Sequence, residues 1–322
     1  MSAKIICITP IRNEAWILDT FLKSARLWAD HIILVDQNSS DDSKKIIENY
    51  DNVIVLDYNS DKHSQIERRR LLLETARRYY NNDNNLILAI DADEVLTPEA
   101  FNKDTWKLLL NKKPGTVFQF QWATLLPNIK KYWTGYHLPY GFIDDGRDYI
   151  QQQPHHGTRI PVIDNNPIYN VNEFKVIHFQ YMNPERNTSR QRWYQCLELV
   201  DPSIATDAID IYRKYHKEQT FLKDRINDIP ENWIEQYKNL GIDLLKIYKE
   251  EYYWYDDEVR KLFDQYGYNH FKKLAIWDDV FKEYDPRTII DKLVHYWLKK
   301  SQPHYFTKAR KIDNIIKKVL KY

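Results

Sequence analysis

Over the first hundred residues, short β-branched runs alternate with segments of helical periodicity, the pattern of a sheet covered by helices. Lys4 to Thr9 reads as a buried strand. From Glu14 to Trp28, Ile17, Leu18, Phe21, Leu22, Ala25 and Trp28 recur at helical spacing and predict a helix with one face on the sheet. His31 to Asp36 returns as a strand. Asp42 and Ser43 suit the N-cap of a short helix ending near Tyr50, and Val53 to Leu56 is a third apolar run. Ser64 to Tyr80 reads as a helix and Leu86 to Ile90 as a fourth strand, wholly apolar as a central parallel strand is. Thr97 and Pro98 then open another helix.

From Gly115 to about Met182 the texture changes to strands and loops, with Val117 to Trp122, Arg159 to Ile163 and Lys175 to Tyr181 as strands. Beyond Pro184 the chain reads as helical: Glu185 to Val200, Ser203 to Lys217, Glu231 to Lys249 and Arg287 to Lys300. Thr307 to Tyr322 sets Ala309, Ile312, Ile315, Ile316, Val319 and Leu320 on one face and basic residues elsewhere, a basic amphipathic helix. Such a helix suits peripheral contact with an anionic membrane or packing on its own protein. The expected division is a sheet-based domain over 1–220 and a helical region over 221–322.

The 322 residues carry 47 Lys and Arg against 46 Asp and Glu, a net +1 that gives no global basic field for nucleic acid. Cys7 and Cys196 are far apart and lack metal-site spacing, which fits a reducing compartment. The N-terminus shows no signal-peptide pattern and no run matches a membrane span, so the expected location is cytoplasmic, with peripheral contact at the inner membrane face through 307–322. The first of only seven glycines is Gly115, so the N-terminal third holds no glycine-rich phosphate loop.

The chemistry concentrates at Asp91, Asp93 and Glu94, directly after the fourth apolar run. Three adjacent acids repel unless something neutralises them, and hard oxygen donors suit Mg²⁺ or Mn²⁺, which keep positions open for substrate phosphates. The same tripeptide also suits a solvated turn. In a parallel sheet, however, ligands bind at the carboxyl edge. Thr9 to Glu14 leave the first strand there and Asp36, Ser39, Asp41 and Ser43 leave the second.

Together, Pro10, Asn13 and Glu14, the stretch from Val35 through Asp36 to Ser43, and Leu88 to Glu94 resemble a family 2 glycosyltransferase of the GT-A fold, over about residues 3 to 100. From His178 through Trp193 and Cys196 to His216 the chain resembles bacterial members linked to surface-polysaccharide synthesis. The resemblance implies an α/β fold with a mainly parallel central sheet, flanking helices and a helical C-terminal region. It implies transfer of a sugar from a nucleotide-diphosphate donor, UDP favoured, to a glycan or lipid-linked acceptor with inversion.

By the same resemblance Thr9, Pro10, Asn13 and Glu14 line the nucleotide, Asp36 accepts from base or ribose, and Arg69 approaches the nucleotide. Asp91 addresses the ribose, while Asp93 addresses a Mn²⁺ or Mg²⁺ ion. His178, at a strand end, is a third metal or phosphate ligand in similar enzymes, with Asp91 the remaining one; a core histidine fits that position equally. His155 and His156, beside Gly157, read as loop residues. Asn13 and Glu14 also suit a helix cap, and Arg68, Arg69 and Arg70 a solvated face.

Asp144 and Asp145, between Gly141 and Gly146, are the expected base, an acidic turn being the other reading; Glu173 is the fallback. Trp122, Trp133, Tyr136 and Tyr140 are candidate sugar platforms. The alternatives are an inactive glycan-binding protein of the same fold and a sugar nucleotidyltransferase, the latter disfavoured by the missing glycine-rich loop.

Overall fold

The computed structural model describes residues 3–59, 65–80, 84–127, 130–149, 158–163, 165–201, 206–216, 225–248, 252–278, 280–304, 309–320 and 322. His155 and His156 lie outside them, as do Ser64, Thr307 and Lys308. The chain forms two compact units, Met1–Asn183 with Ile226–Lys249, and Pro184–Arg225 with Glu250–Tyr322.

In the first unit, β1 (Ile5–Ile11), β2 (His31–Asp36), β3 (Val53–Asp57) and β4 (Leu86–Ala89) form a parallel array in the order β3-β2-β1-β4. Alternation along β1 explains its two covered faces. Ile5 and Cys7 join Leu18, Phe21 and Leu22 of α1 (Leu18–Ala25) in one core. Ile6 and Ile8 join Leu72, Leu73 and Ala76 of α3 (Gln65–Tyr79) in another. The short α2 (Ser43–Ile47) follows β2. The expected helix from Glu14 to Trp28 is regular only over α1, its first residues forming a turn instead.

The other half of the sheet is mixed. It contains β5 (Glu94–Leu96), β6 (Val117–Leu125), β7 (Lys131–Ile143), β8 (Ile168–His178) and β9 (Ile226–Asp228), continuing the order as β4-β7-β6-β8-β5 with β9 beside β7. β4 and β6 both pair antiparallel with β7, and β5 pairs antiparallel with β8, setting Glu94 opposite His178. Between β5 and β6, a 3₁₀ turn over Pro98–Phe101 precedes α4 (Lys103–Leu110). Gly141 of β7 packs closely on β4, since a Cβ there would stand 3.0 Å from the Ile87 carbonyl oxygen and 3.2 Å from the Leu88 side chain, a tight fit. Arg159 to Ile163, expected as a strand, is irregular backbone.

The expected boundary at residue 220 is corrected. The chain leaves the sheet unit after Asn183 and re-enters it at Ile226, because β9 bonds to β7 through Trp133, Tyr132 and Lys131. There α7 (Glu231–Asn239) buries Tyr237, whose hydroxyl bonds to the Leu96 carbonyl at 2.5 Å and to Ser24 at 2.8 Å.

The second unit is helical: α5 (Pro184–Val200), α6 (Ala208–Tyr215), α8 (Trp254–Tyr266), α9 (Ile289–Ser301) and α10 (Arg310–Leu320). Trp193, Ile209, Val259, Phe263, Phe271, Phe281 and Leu298 share its core. Arg192 crosses from α5 to Asp256 at 2.8 Å, and Arg213 of α6 holds Asp313 of α10 at 2.9 Å.

Candidate active site

All the site residues belong to the first unit. Two loops at the carboxyl ends of β1 and β2 are bonded into one surface. Asn13 takes a left-handed backbone with φ of +53°, which asparagine tolerates better than most residues. Its side-chain oxygen accepts from the Ser40 and Asp41 amides at 2.6 and 3.3 Å, and its own amide donates to the Ser39 hydroxyl at 2.8 Å. The Glu14 and Ala15 amides donate to Ser43 and Asp41. Asn13 and Glu14 therefore link the two loops, and the Glu14 carboxylate accepts from the Trp16 indole at 2.7 Å.

Thr9, wholly buried, donates its hydroxyl to the Ile90 carbonyl at 2.7 Å, tying the end of β1 to the acid-bearing turn. Pro10, half-buried, follows it. Asp36, also wholly buried, accepts from the Ser39 hydroxyl at 2.5 Å and faces the Lys44 ammonium at 3.4 Å.

After β4 the three acids separate into different surroundings. The Glu94 side chain is fully enclosed, and five donors converge on its two oxygens: two Arg159 nitrogens, the Trp122 indole, the Tyr140 hydroxyl and the Asp91 amide. Burial pushes the Glu94 carboxyl above the usual carboxylate range, against the pull of Arg159. All five partners are donors, which suits an ionised carboxylate, an acceptor at both oxygens. Burial likewise works against the Arg159 cation, but Asp91 and Glu94 outweigh it and hold the guanidinium charged. Arg159 also bonds Asp91 at 2.9 Å and lies 4.5 Å from the centre of the Tyr140 ring.

Asp93 faces His178. Its carboxylate is 3.4 Å from His178 Nε2, and its carbonyl accepts from the Phe179 amide at 2.9 Å. The β5–β8 pairing brings the two together. The His178 ring is stacked on Trp122, with centroids 4.9 Å apart and planes 13° from parallel, and its Nδ1 is buried without a hydrogen-bond partner. The expected trio of Asp91, Asp93 and His178 is thus brought together only as the pair Asp93–His178, because Arg159 occupies Asp91. Among the described residues no group of three His, Cys, Asp or Glu side chains is arranged to hold a metal ion. A carboxylate 3.4 Å from an imidazole Nε2 still suits a cation held by both that takes its other donors from water and phosphate.

Asp144 and Asp145 are corrected as candidates for the base. Because β7 runs antiparallel to β4, the end of β7 lies beside the start of β4, and the Asp144 amide bonds to the Asn85 carbonyl at 2.8 Å. The acids follow the other end of β4, six residues on, or about 20 Å along a strand. The Asp144 carboxylate is taken by Arg77 at 2.7 Å and Asp145 by Arg147, whose bonds hold the Asp145 carboxyl below its usual range despite partial burial. Glu173 is exposed on β8, five residues before His178, and accepts from the Tyr169 hydroxyl.

Arg69 donates to the Thr158 carbonyl at 2.8 Å, beside the segment that delivers Arg159, while Arg70 donates to the Tyr149 carbonyl and Arg68 is buried. Of the aromatic candidates, Trp122 and Tyr140 serve Glu94 from inside. Tyr136 is exposed, in an edge contact with Trp133. The residue that sequence reasoning missed is Arg159. The available signal was Glu94 itself, since an acid adjoining two others on a buried strand needs a cation from elsewhere in the chain.

The glycosyl transferase family 2 model matches residues 6–158. No curated protein sequence matches the chain. Among solved structures, the chain is similar to a 4-diphosphocytidyl-2C-methyl-D-erythritol synthase at 12% identity, covering 44% of this chain and 76% of that one, with a TM-score of 0.31. It is also similar to glucosyl-3-phosphoglycerate synthase from Mycobacterium tuberculosis in complex with Mn²⁺, uridine-diphosphate and glucosyl-3-phosphoglycerate. There the identity is 19% over 38% of this chain and 44% of that one, with a TM-score of 0.24, so less than half of that synthase's length is covered. Residues 6–158, 153 of the 322, match glycosyl transferase family 2, and with their acids at the carboxyl edge of a GT-A-like sheet they support a glycosyltransferase of that type.

Proposed function

We propose that the enzyme moves a sugar from a nucleoside-diphosphate donor, UDP favoured, to a hydroxyl of a glycan or lipid-linked acceptor in the cytoplasm, with inversion and with a divalent cation. The observation that carries this reading is the Asp93–His178 pair, 3.4 Å apart at the strand edge. Asp93 and His178 would hold Mn²⁺ or Mg²⁺, the remaining positions falling to water and diphosphate oxygens. When bound, the cation supplies Lewis-acid stabilisation of the departing diphosphate.

The protein's own contribution is placement. Asp91 keeps 39% of its side-chain surface exposed while Arg159 grips one oxygen, which leaves the other directed to a ribose hydroxyl. Asp36, wholly buried and bonded to Ser39, holds the loop after β2 in place beside the base or ribose. Asn13 and the amides it fixes set the distance between the first two loops. Trp122, bonded to Glu94 and stacked on His178, fixes the imidazole plane beside Asp93.

The test is release of nucleotide from UDP-, GDP-, CMP- and dTDP-sugars with Mn²⁺, together with the melting temperature in each. UDP-sugars are expected to raise the melting temperature and release UDP slowly, and Asp93→Asn is expected to lose both effects with its fold intact. If no donor shifts the melting temperature, or Asp93→Asn behaves as the parent enzyme, the reading fails.

A further inference from the structure

The second unit carries an apolar surface that its own core does not use. α9 and α10 lie antiparallel, bonded near one end by the Trp297 indole to Asp313 at 2.9 Å and near the other by the Tyr322 hydroxyl to Asp291 at 2.7 Å. The inward face of α10 is not its apolar one. It consists of Ala309, Asp313 and the half-buried Ile316, because Asp313 anchors the helix through two bonds to Arg213, each 2.9 Å. An ion pair therefore fixes how the helix is rotated and turns Ile312, Ile315 and Val319 outward, with Ile315 60% and Val319 69% exposed. On α9, Ile289, Leu293 and Tyr296 recur at helical spacing and are 79%, 63% and 63% exposed. Exposed apolar side chains gathered on two neighbouring helices mark interaction sites in soluble proteins.

Charge identifies the partner. Residues 289–322 hold nine of the chain's 47 Lys and Arg but only two of its 46 Asp and Glu, which leaves 38 basic against 44 acidic residues elsewhere. Those two acids are Asp291 and Asp313, both buried and already bonded; Asp285 faces Lys292, and Asp207 and Asp210 take Lys317, but the exposed Lys299, Lys300, Arg310, Lys311 and Lys318 leave the outer surface of the helix pair basic. Lys292, Lys300, Lys311 and Lys318 are exposed among the apolar residues, and the Lys300 ammonium lies 5.8 Å from the Tyr296 ring centre. A second copy would present the same positive surface and be repelled. α10, at eleven residues, is about 16 Å long. Among the described residues no helix is long and apolar enough to cross a membrane.

We propose that α9 and α10 together dock the enzyme on an anionic lipid bilayer, with Leu293, Tyr296, Ile315 and Val319 at the acyl boundary and the lysines among the headgroups. This goes beyond the proposed transfer reaction and does not depend on it, since no site residue takes part. The experiment is cosedimentation of the full chain with phosphatidylglycerol-containing vesicles and with pure phosphatidylcholine vesicles, at low and high salt. The variants are Leu293→Ser with Ile315→Ser, and Lys311→Glu with Lys318→Glu. All four positions are exposed, so melting temperatures are expected to hold.

The expected result is binding to the anionic vesicles alone, weakened by salt and reduced about tenfold or more by each pair of substitutions. Equal binding to both vesicles, binding untouched by either pair, or no binding at all would overturn the proposal. So would a parent enzyme that is dimeric at micromolar concentration and becomes monomeric on Leu293→Ser.

Discussion

Arg159→Met removes two of the five donors on Glu94 and its cation, leaving a fully enclosed carboxylate with the Trp122 indole, the Tyr140 hydroxyl and one amide. Breaking a buried pair from one side costs about 3 to 5 kcal/mol. Glu94 has one escape, which is to take up a proton. From an ordinary glutamate value near 4.3, protonation at pH 7 costs about 2.7 times 1.36, or about 3.7 kcal/mol, and at pH 5 about 1 kcal/mol. The loss is therefore bounded at about 3 to 4 kcal/mol at pH 7 and shrinks on acidification. The sign follows from linkage: in the variant the folded pKa of Glu94 is raised above its unfolded value, so stability is retained at low pH and lost as pH rises. Adding Glu94→Gln to Arg159→Met removes the charge and is expected to recover most of the loss. Urea titrations at pH 5 and pH 7, read by hydrogen exchange of β1 and β4 amides, report the first unit by itself. A loss of the same size at both pH values, or one below about 1 kcal/mol at pH 7, would refute the account of Glu94 as an ionised, Arg159-dependent carboxylate.

Asp145→Asn is expected to leave donor binding and turnover at parent levels in a UDP-release assay, since its side chain faces Arg147 at the far edge of the sheet. Asp144→Asn is expected to lower stability by about 1 to 3 kcal/mol through the lost Arg77 pair, with nucleotide affinity unchanged by calorimetry. Asn13→Ala removes the links to Ser40 and Asp41 and strains a left-handed residue, so UDP affinity should fall while the free energy of unfolding, from urea titration, drops by about 1 to 2 kcal/mol. Burial holds His216 neutral, lowering its pKa from 6.5 to about 4. Its contribution is present above 6.5 and lost as pH falls toward 4, up to about 3 kcal/mol, and His216→Gln should flatten the acid limb of the unfolding curve of the second unit.

The parallel half of the sheet was legible because its signals are local: β1, β2 and β4 are short unbroken apolar runs, and the acids directly follow the last of them. His178 was placed at a strand end by the same signal. β7 was not legible, since Gly135, Pro139 and Gly141 interrupt its pattern for reasons that only its neighbours reveal, Gly141 packing closely on the Ile87 carbonyl. Misplacing Asp144 and Asp145 follows from that omission: without the antiparallel sense of β7 nothing tells which edge of the sheet its last residue reaches. Arg159 was missed because it meets Glu94 from irregular backbone 65 positions away. Which face of α10 turns inward was not legible, because one ion pair, Asp313 with Arg213, decides its rotation over five aliphatic side chains.

The central claim is that Asp93 and His178 make nucleotide-diphosphate binding depend on a divalent cation. Calorimetric titration of UDP into the enzyme with Mn²⁺, and again with EDTA, tests it directly. Binding is expected with Mn²⁺, lost with EDTA, and reduced at least about a hundredfold by Asp93→Asn even with Mn²⁺. Equal UDP affinity in the presence and absence of the cation, or an unaltered affinity in Asp93→Asn, would contradict the account.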